Sequence, residues 1–253
     1  MGLFGKSTFL EKELEAWSLE TWAWFMRNWG GMERLKRTRL VTPSREFYPP
    51  TEFEGWERAA YIFETTKRWM GMANWPCQLE GYERIPANVR VAQYNFLRGP
   101  AEPNGTFRID NGQVIVTYAN DLVARPADLI ATLAHELSHY LISTIREPIP
   151  GGREVHELTT ELGVAYAGFA IFGANHAFEF EGHNFAGGHG WSSKRSGYFS
   201  ERSWAFSLAV FLALKGEEPP SDVLKPSVAD LTKRAARYLS RNPDLIEPLR
   251  RIA

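Results

Sequence analysis

The chain has one cysteine, Cys77, among its 253 residues, and this scarcity excludes an intrachain disulfide framework. It also lacks any apolar run of the roughly 20 residues that a membrane-spanning helix needs. The formal net charge is −1, so no bulk charge favours nucleic acid or a membrane surface as a partner. Because Cys77 lies in an apolar Trp-Pro-Cys context, we expect it to be a small buried residue.

The N-terminal sequence shows neither the pattern of a signal peptide nor a myristoylation signal. It has no charged start followed by an apolar core and a cleavage site, and Lys6 stands where a myristoylation signal requires Ser or Thr. Neither an internal repeat nor a low-complexity segment is present. We expect a cytoplasmic protein whose length allows one large domain, with or without an appendage.

The most informative stretch is His135-Glu136-Leu137-Ser138-His139. The surrounding sequence predicts a buried amphipathic helix, with Pro126 and Asp128 suited to its first turn. Residues four apart share a helix face, so both imidazoles can reach one metal ion, while Glu136 can contact a water on that metal. The apolar residues at helical spacing are Leu129, Ile130, Leu133, Leu137, Leu141 and Ile142.

A catalytic zinc usually has three protein ligands and one open position. Downstream, an acidic cluster at 153–161 leads into a small-residue, apolar run that predicts a second buried helix reaching Gly173. Glu157 and Glu161 share one face of that helix, and Glu154 and His156 are neighbouring competitors for the ligand role. An acidic first turn is also favoured by the helix dipole alone.

These motifs resemble the gluzincin metallopeptidases, in which H-E-x-x-H is followed by a helix that carries E-x-x-x-D. The resemblance implies Glu157 as third zinc ligand and Glu161, here Glu in place of Asp, as an acid that orients a ligand histidine. The stretch 130–211, including Ser196-Gly197-Tyr198-Phe199-Ser200-Glu201, is also similar to bacterial zincin-like proteins of unassigned function. A zinc ion, a peptide or protein substrate and Glu136 as general base follow from the resemblance.

Other classes of metalloprotein that contain H-E-x-x-H match this chain less well. Metzincins require a glycine and a third histidine where this chain has Ile142 and Ile145. Peptide deformylases take a cysteine ligand from a Gly-Cys-Leu sequence, which the surroundings of Cys77 do not match. A structural zinc prefers four Cys or His ligands. Two other functions stay open: a non-catalytic zincin-like protein that binds a peptide or partner, and a zinc hydrolase of a non-peptide amide.

A developing oxyanion usually needs a further hydrogen-bond donor. Tyr198 is the first candidate by position and by the resemblance, and His176, His183 and His189 are others. The last two lie in a Gly-rich loop at 181–190, which is either a mobile lid or an irregular connection. His189 is also a candidate substrate-binding residue.

The predicted fold is α+β and zincin-like, mostly helical, with a small mixed or antiparallel sheet beside the motif helix. Strands are expected at 89–96 and 113–118, with a turn at 103–105. By resemblance, Val114, Val116 and Tyr118 bind an extended substrate by strand addition. A Trp-rich helical segment, 1–34, is expected to pack on the main domain, 35–253. Helices are also predicted at 7–29, 55–72 and 200–214. A last helix is predicted to begin at a Ser227–Asp230 capping box and to reach about Ser240. Its basic residues, Lys233, Arg234 and Arg237, are expected to form a solvated stripe.

Overall fold

The structure is a computed structural model that describes residues 8–84, 103–181, 199–220 and 222–253. This part of the chain is mostly helical with one small sheet, an α+β arrangement as predicted. Short 3₁₀ turns cover Asn120–Ala124, Arg153–Val155 and Pro243–Leu245. The strands are β1 (Gln78–Tyr82), β2 (Gly105–Asp110) and β3 (Gln113–Ala119). The helices are α1 (Lys12–Asn28), α2 (Gly31–Arg37), α3 (Gly55–Trp69), α4 (Pro126–Ser143), α5 (His156–Tyr166), α6 (Ala170–Glu181), α7 (Glu201–Lys215), α8 (Pro226–Arg241) and α9 (Glu247–Arg250).

The chain divides into two compact units. Residues 43–140 form one, which holds the sheet, α3 and most of α4, and residues 1–42 with 141–253 form the other, which is helical. No helix within the described ranges combines the length and the apolar character needed to cross a membrane.

The sheet has the order β1-β3-β2, with β1 parallel to β3 and β2 antiparallel to it. The β2–β3 hairpin closes over two residues, Asn111 and Gly112, both with positive φ (47° and 81°). Such a two-residue turn matches the right-handed twist of the strands, and Asn-Gly is its preferred sequence.

The predicted strands need correction. The prediction for 113–118 is confirmed by β3, but the turn expected at 103–105 is wrong because Gly105 begins β2 and the turn lies at Asn111-Gly112. Strand β1 was not predicted, since its side chains are exposed or half-exposed and show no apolar alternation. The strand expected at 89–96 lies outside the described residues.

The motif helix α4 forms as predicted, from Pro126 to Ser143. Arg125 and Asp128 bond at 2.6 Å across its first turn, where an acidic side chain also interacts favourably with the helix dipole. Its apolar face is wholly or almost wholly buried and consists of Leu129, Ile130, Leu133, Leu137, Leu141 and Ile142.

In the helical unit, α1 contributes aromatic rings to the core. Trp22, Trp24 and Phe25 are fully buried, and Phe25 stacks on Tyr166 of α5 at 5.5 Å between centroids. The indole of Trp24 also donates to the carbonyl of Glu147 at 3.3 Å. The tryptophans of α1 therefore pack inside this unit, with the polar edge of Trp24 satisfied by backbone.

The single helix predicted to run through Gly173 is instead two helices. Helix α5 ends at Tyr166 and α6 begins at Ala170, with Gly168 between them at φ 90°. The carbonyl of Gly168 accepts from the backbone N–H of Val41 at 2.8 Å, and a Cβ at Gly168 would collide with the carbonyl of Arg39. The close approach of the chain at 39–41 requires a glycine there, and its left-handed backbone ends the helix.

The later helices differ from prediction in one detail. Helix α7 confirms the predicted helix at 200–214, with the Ser200 hydroxyl accepting from the N–H of Ser203 at 3.2 Å. Helix α8 is present, but the predicted capping box is wrong. The N-cap is Lys225 without a side-chain cap, and the Ser227 hydroxyl donates to Glu201 at 3.2 Å instead. The predicted basic residues on α8 have exposed side chains, namely Lys233, Arg234 and Arg237.

Candidate metal centre

Helix α4 brings its two histidines together. The Nε2 atoms of His135 and His139 lie 3.1 Å apart, and the two rings meet edge to face with centroids 4.8 Å apart. Two nitrogens bound tetrahedrally to one zinc, with Zn–N of about 2.0–2.1 Å, lie about 3.3 Å from each other. The two nitrogens are therefore spaced almost as zinc would hold them.

Glu157, in the first turn of α5, supplies the third group. One ligand atom from each of His135, His139 and Glu157 lies within 4.8 Å of the other two. Two imidazole nitrogens and one carboxylate oxygen form a known donor set of catalytic zinc sites, which leaves a fourth position open. Within the described ranges this is the one group of His, Cys, Asp and Glu side chains arranged to hold a metal.

The geometry of the carboxylate leaves room for adjustment. Ligand atoms around a tetrahedral zinc lie roughly 3.3 Å apart, so a separation of up to 4.8 Å would have to shorten on binding. Glu157 is exposed, whereas His135 and His139 are half-buried. An exposed glutamate can change rotamer at little cost, so the three side chains present a donor set that suits zinc.

The nearby competitors are not part of this cluster. His156 immediately precedes Glu157 and is half-buried, and Glu154 is exposed in the preceding 3₁₀ turn. Neither belongs to the group of atoms that lie within 4.8 Å of one another. Of the side chains considered from the sequence at 153–157, Glu157 alone joins the two histidines.

Glu136 is buried on α4, with 7% of its surface exposed. A Cβ built on Gly105 at the start of β2 would lie 3.2 Å from Cγ of Glu136 and 2.7 Å from a methyl carbon of Thr132. It would also lie 2.7 Å from the carbonyl oxygen of Thr117. The absence of a side chain at Gly105 thus lets the sheet approach α4 at the height of Glu136.

Glu161 lies one helical turn after Glu157 on α5 and is only 6% exposed. A helix places residues four apart on one face. Glu157 is nevertheless exposed, whereas Glu161 is buried. The pair thus combines an accessible carboxylate with one in the interior. Burial of a carboxylate requires hydrogen-bonding partners.

Sequence reasoning missed the aromatic side chains that flank His139. Phe107 of β2 lies nearly parallel to the His139 ring, with centroids 6.1 Å apart and planes at 16°. Phe107 also stacks on Tyr140 at 6.0 Å, and Tyr140 meets Trp75 at 4.8 Å. We call Trp75, Phe107 and Tyr140 the aromatic wall; each is half-buried. The signal available in the sequence was the Asn-Gly turn, which predicts β2 and places Phe107 on the same face as Gly105.

Polar contacts anchor the far end of the aromatic wall. The Tyr140 hydroxyl donates to the carbonyl of Pro76 at 3.1 Å. Burial, and then the nearby Cys77 thiol, raises the pKa of Tyr140. Cys77 is half-buried, so the expectation of full burial is wrong. Burial nevertheless raises the pKa of its thiol to about 11, which keeps Cys77 protonated at neutral pH and unreactive as a nucleophile.

Strand addition along β3 is not supported. Val114, Val116 and Tyr118 are buried, and β3 is the central strand, already paired with β1 on one side and with β2 on the other. Both of its edges are therefore occupied, because each strand has two hydrogen-bonding edges. The predicted role of these three residues as a substrate-binding edge is wrong.

Several predicted site residues cannot be placed in this geometry. Tyr198, His183 and His189 lie outside the described residues. His176 lies on α6 and is half-buried. The candidate centre consists of the two histidines and Glu136 on α4, Glu157 on α5, and Phe107 on β2.

Comparisons of the chain with protein-family models, with curated proteins and with solved structures find no match. A function for this protein is therefore inferred from the donor set, its spacing and the motif that supplies it.

Proposed function

We propose that this protein is a zinc-dependent hydrolase of peptide bonds, a gluzincin-like metallopeptidase with a zincin-like fold. The observation that carries the proposal is the convergence of His135, His139 and Glu157 within 4.8 Å, next to a buried glutamate at position 136. Three ligands with one open position are typical of catalytic zinc, whereas structural sites are closed by four protein ligands.

In this proposal His135, His139 and Glu157 hold the metal and Glu136 handles protons. Zinc bound there supplies a Lewis acid for the scissile carbonyl and a water acidic enough to ionise near neutral pH. Glu136 accepts the proton of the attacking water and returns it to the leaving amine. Its position one residue after His135 places it beside the metal without making it a ligand.

Two further residues have supporting roles in the proposal. Glu161, buried on the same helix as Glu157, accepts a hydrogen bond from a ligand imidazole and so fixes the tautomer that leaves the metal-facing nitrogen unprotonated. Tyr198 donates to the oxyanion that develops on the scissile carbonyl. The substrate is a peptide or a protein.

Metal content is the first test. Chelator-stripped protein is dialysed against zinc, and bound metal is measured by mass spectrometry. We expect one zinc per chain in the wild type and loss of most of it in H139A and E157A, because a two-ligand site binds zinc weakly. H156A is the matched control, since it alters the neighbouring histidine outside the cluster, and it should retain zinc. A wild-type chain that takes up no zinc, or an E157A variant that binds as well as the wild type, would refute the ligand set.

Cleavage is the second test. Zinc-loaded protein is incubated with a diverse peptide library, and new termini are identified by mass spectrometry. The wild type should cleave, while E136Q should keep its zinc and lose about 10²- to 10⁴-fold in rate, the usual contribution of a general base. Zinc-loaded protein without cleavage would favour a non-catalytic peptide-binding protein. Hydrolysis confined to non-peptide amides would favour an amidohydrolase at the same centre.

A further inference from the structure

We infer that Phe107 is a positioning residue for the ligand His139, whose imidazole it holds in the orientation that points Nε2 toward Nε2 of His135. The inference rests on the proposed function, because it assigns His139 to a metal. The ring centroids of Phe107 and His139 lie 6.1 Å apart with planes at 16°, inside the range of interacting aromatic pairs.

The imidazole of a histidine needs such a support. The torsion that turns a histidine ring about its Cβ–Cγ bond is broad and poorly restrained by local sterics. His139 therefore depends on its neighbours for orientation. The ring of His135 lies at 81° to it, and the ring of Phe107 lies nearly parallel to it. Rotation of the imidazole would therefore change its contact with both rings.

Phe107 is itself placed by the sheet and by the aromatic wall. Gly105 and Phe107 are two apart on β2, so they point to the same face, and at Gly105 the strand lies against Thr132 and Glu136. Phe107 then meets α4 one turn later, between His139 and Tyr140. Because the Tyr140 hydroxyl is bonded to Pro76, the surface behind Phe107 is held as well.

Ile109 provides the matched control. It lies on the same face of β2, two residues beyond Phe107, and is 57% exposed. An Ile109→Ala substitution thus removes an apolar side chain from the same face of the same strand without removing the ring that lies on His139. Any difference between F107A and I109A reports on the imidazole contact and not on general loss of apolar surface.

The experiment measures zinc affinity by chelator competition and the visible spectrum of the cobalt-substituted protein. We expect F107A to bind zinc about threefold to tenfold more weakly, the effect of losing one aromatic pair, and to show an altered cobalt band, because one ligand is less well oriented. F107L, which keeps the fold but lacks an aromatic face, should lie between F107A and the wild type. F107Y should restore the wild-type values, and I109A should stay within about twofold of them.

A readout without metal separates this inference from the proposed function. In chelator-treated protein, the ring protons of His139, assigned with H139A, should shift in F107A and F107L and remain unchanged in I109A. If the wild type binds no zinc but these shifts occur, the proposed function fails and the contact between Phe107 and the His139 ring stands. If zinc binds and F107A matches the wild type in affinity, cobalt spectrum and ring shifts, the positioning role is wrong.

Discussion

Two buried glutamates, Glu15 in the helical unit and Glu136 in the sheet unit, show how differently one side chain can be used. They are 4% and 7% exposed, and both lie on helices. Glu15 accepts from the backbone N–H groups of Phe9 and Leu10 at 2.9 and 3.2 Å, and from the Tyr238 hydroxyl at 2.8 Å. Its oxygens thus connect α1 both to the segment that precedes it and to helix α8. This is a structural role for a carboxylate.

Glu136 has a different setting. It lies between His135 and His139 in sequence, on a helix whose imidazole nitrogens approach to 3.1 Å, and it faces the side-chain-free position at Gly105. Burial of a carboxylate is therefore no evidence for catalysis, since Glu15 is the more buried of the two. A catalytic candidate is distinguished by its neighbours: Glu15 has backbone donors and a phenol, whereas Glu136 lies between two histidines that could hold a metal.

The largest predicted effect is the loss of peptide cleavage when Glu136 is replaced. E136Q should lower kcat/KM for a cleaved peptide by about 10²- to 10⁴-fold, because an amide cannot accept the proton of the attacking water. Its free energy of unfolding, from urea titration, should change by less than about 1 kcal/mol, since Gln has nearly the same shape. If E136Q lost as much stability as E15A and also lost zinc binding, Glu136 would be a structural residue and not the general base.

The next effect is on stability. E15A removes the acceptor for three donors, so we expect it to lower the free energy of unfolding by about 3 kcal/mol, because buried donors lose their partner. Measured in urea at neutral pH, this loss should leave the zinc stoichiometry of the folded protein at the wild-type value. E15Q, which retains one carbonyl oxygen, should be intermediate. An E15A variant as stable as the wild type would show that the three hydrogen bonds contribute nothing net.

A smaller effect tests the close approach at Gly105. G105A places a methyl group 2.7 Å from the carbonyl of Thr117 and 3.2 Å from Cγ of Glu136, so the strand or the side chains must move. We expect about 2 kcal/mol of destabilisation and a fall in kcat larger than the rise in KM. G112A, in the hairpin turn at φ 81° with open space around its Cβ, should also destabilise, because alanine disfavours that backbone, but should leave kcat unchanged. Equal kinetic losses in the two variants would show that Glu136 is not sensitive to the position of β2.

Local patterns in the sequence predict one part of the candidate site. Helix α4 and its histidines were predictable because helical periodicity is a local signal: an apolar residue every three or four positions sets the face, and residues four apart must share it. Glu157 was named because its E-x-x-x-E run resembles the gluzincin pattern, and its approach to the two histidines required the structure.

The contacts that cross between distant elements were not predictable in this way. Phe107 lies 32 positions before His139 in the sequence, and no local pattern relates a strand side chain to a helix imidazole. The role of Glu15 is equally hidden, since an acidic residue in the first turn of α1 is expected from the dipole alone, whereas its bond to Tyr238 spans almost the whole chain. Gly105 was interpreted as a turn residue because glycine favours turns in general; here its lack of a side chain serves packing.

The smallest predicted effect is a pH dependence that arises at Glu15. Burial, followed by the hydrogen bond to the Glu15 carboxylate, raises the pKa of Tyr238 to about 12. An unfolded tyrosine loses its proton at a pH of about 10, so Tyr238 stabilises the fold fully below pH 10 and loses this contribution as the pH rises from about 10 to 12. Because Tyr238 is only half-buried, we expect this contribution to be about 1 kcal/mol, less than the shift alone would give. Y238F should therefore be less stable than the wild type at pH 7 and should approach it between pH 10 and 12, as measured by urea titration at each pH. A constant difference between the two proteins across that range would mean that the phenol proton is not what Glu15 binds, and the structural role of this carboxylate would then depend on the backbone N–H groups of Phe9 and Leu10.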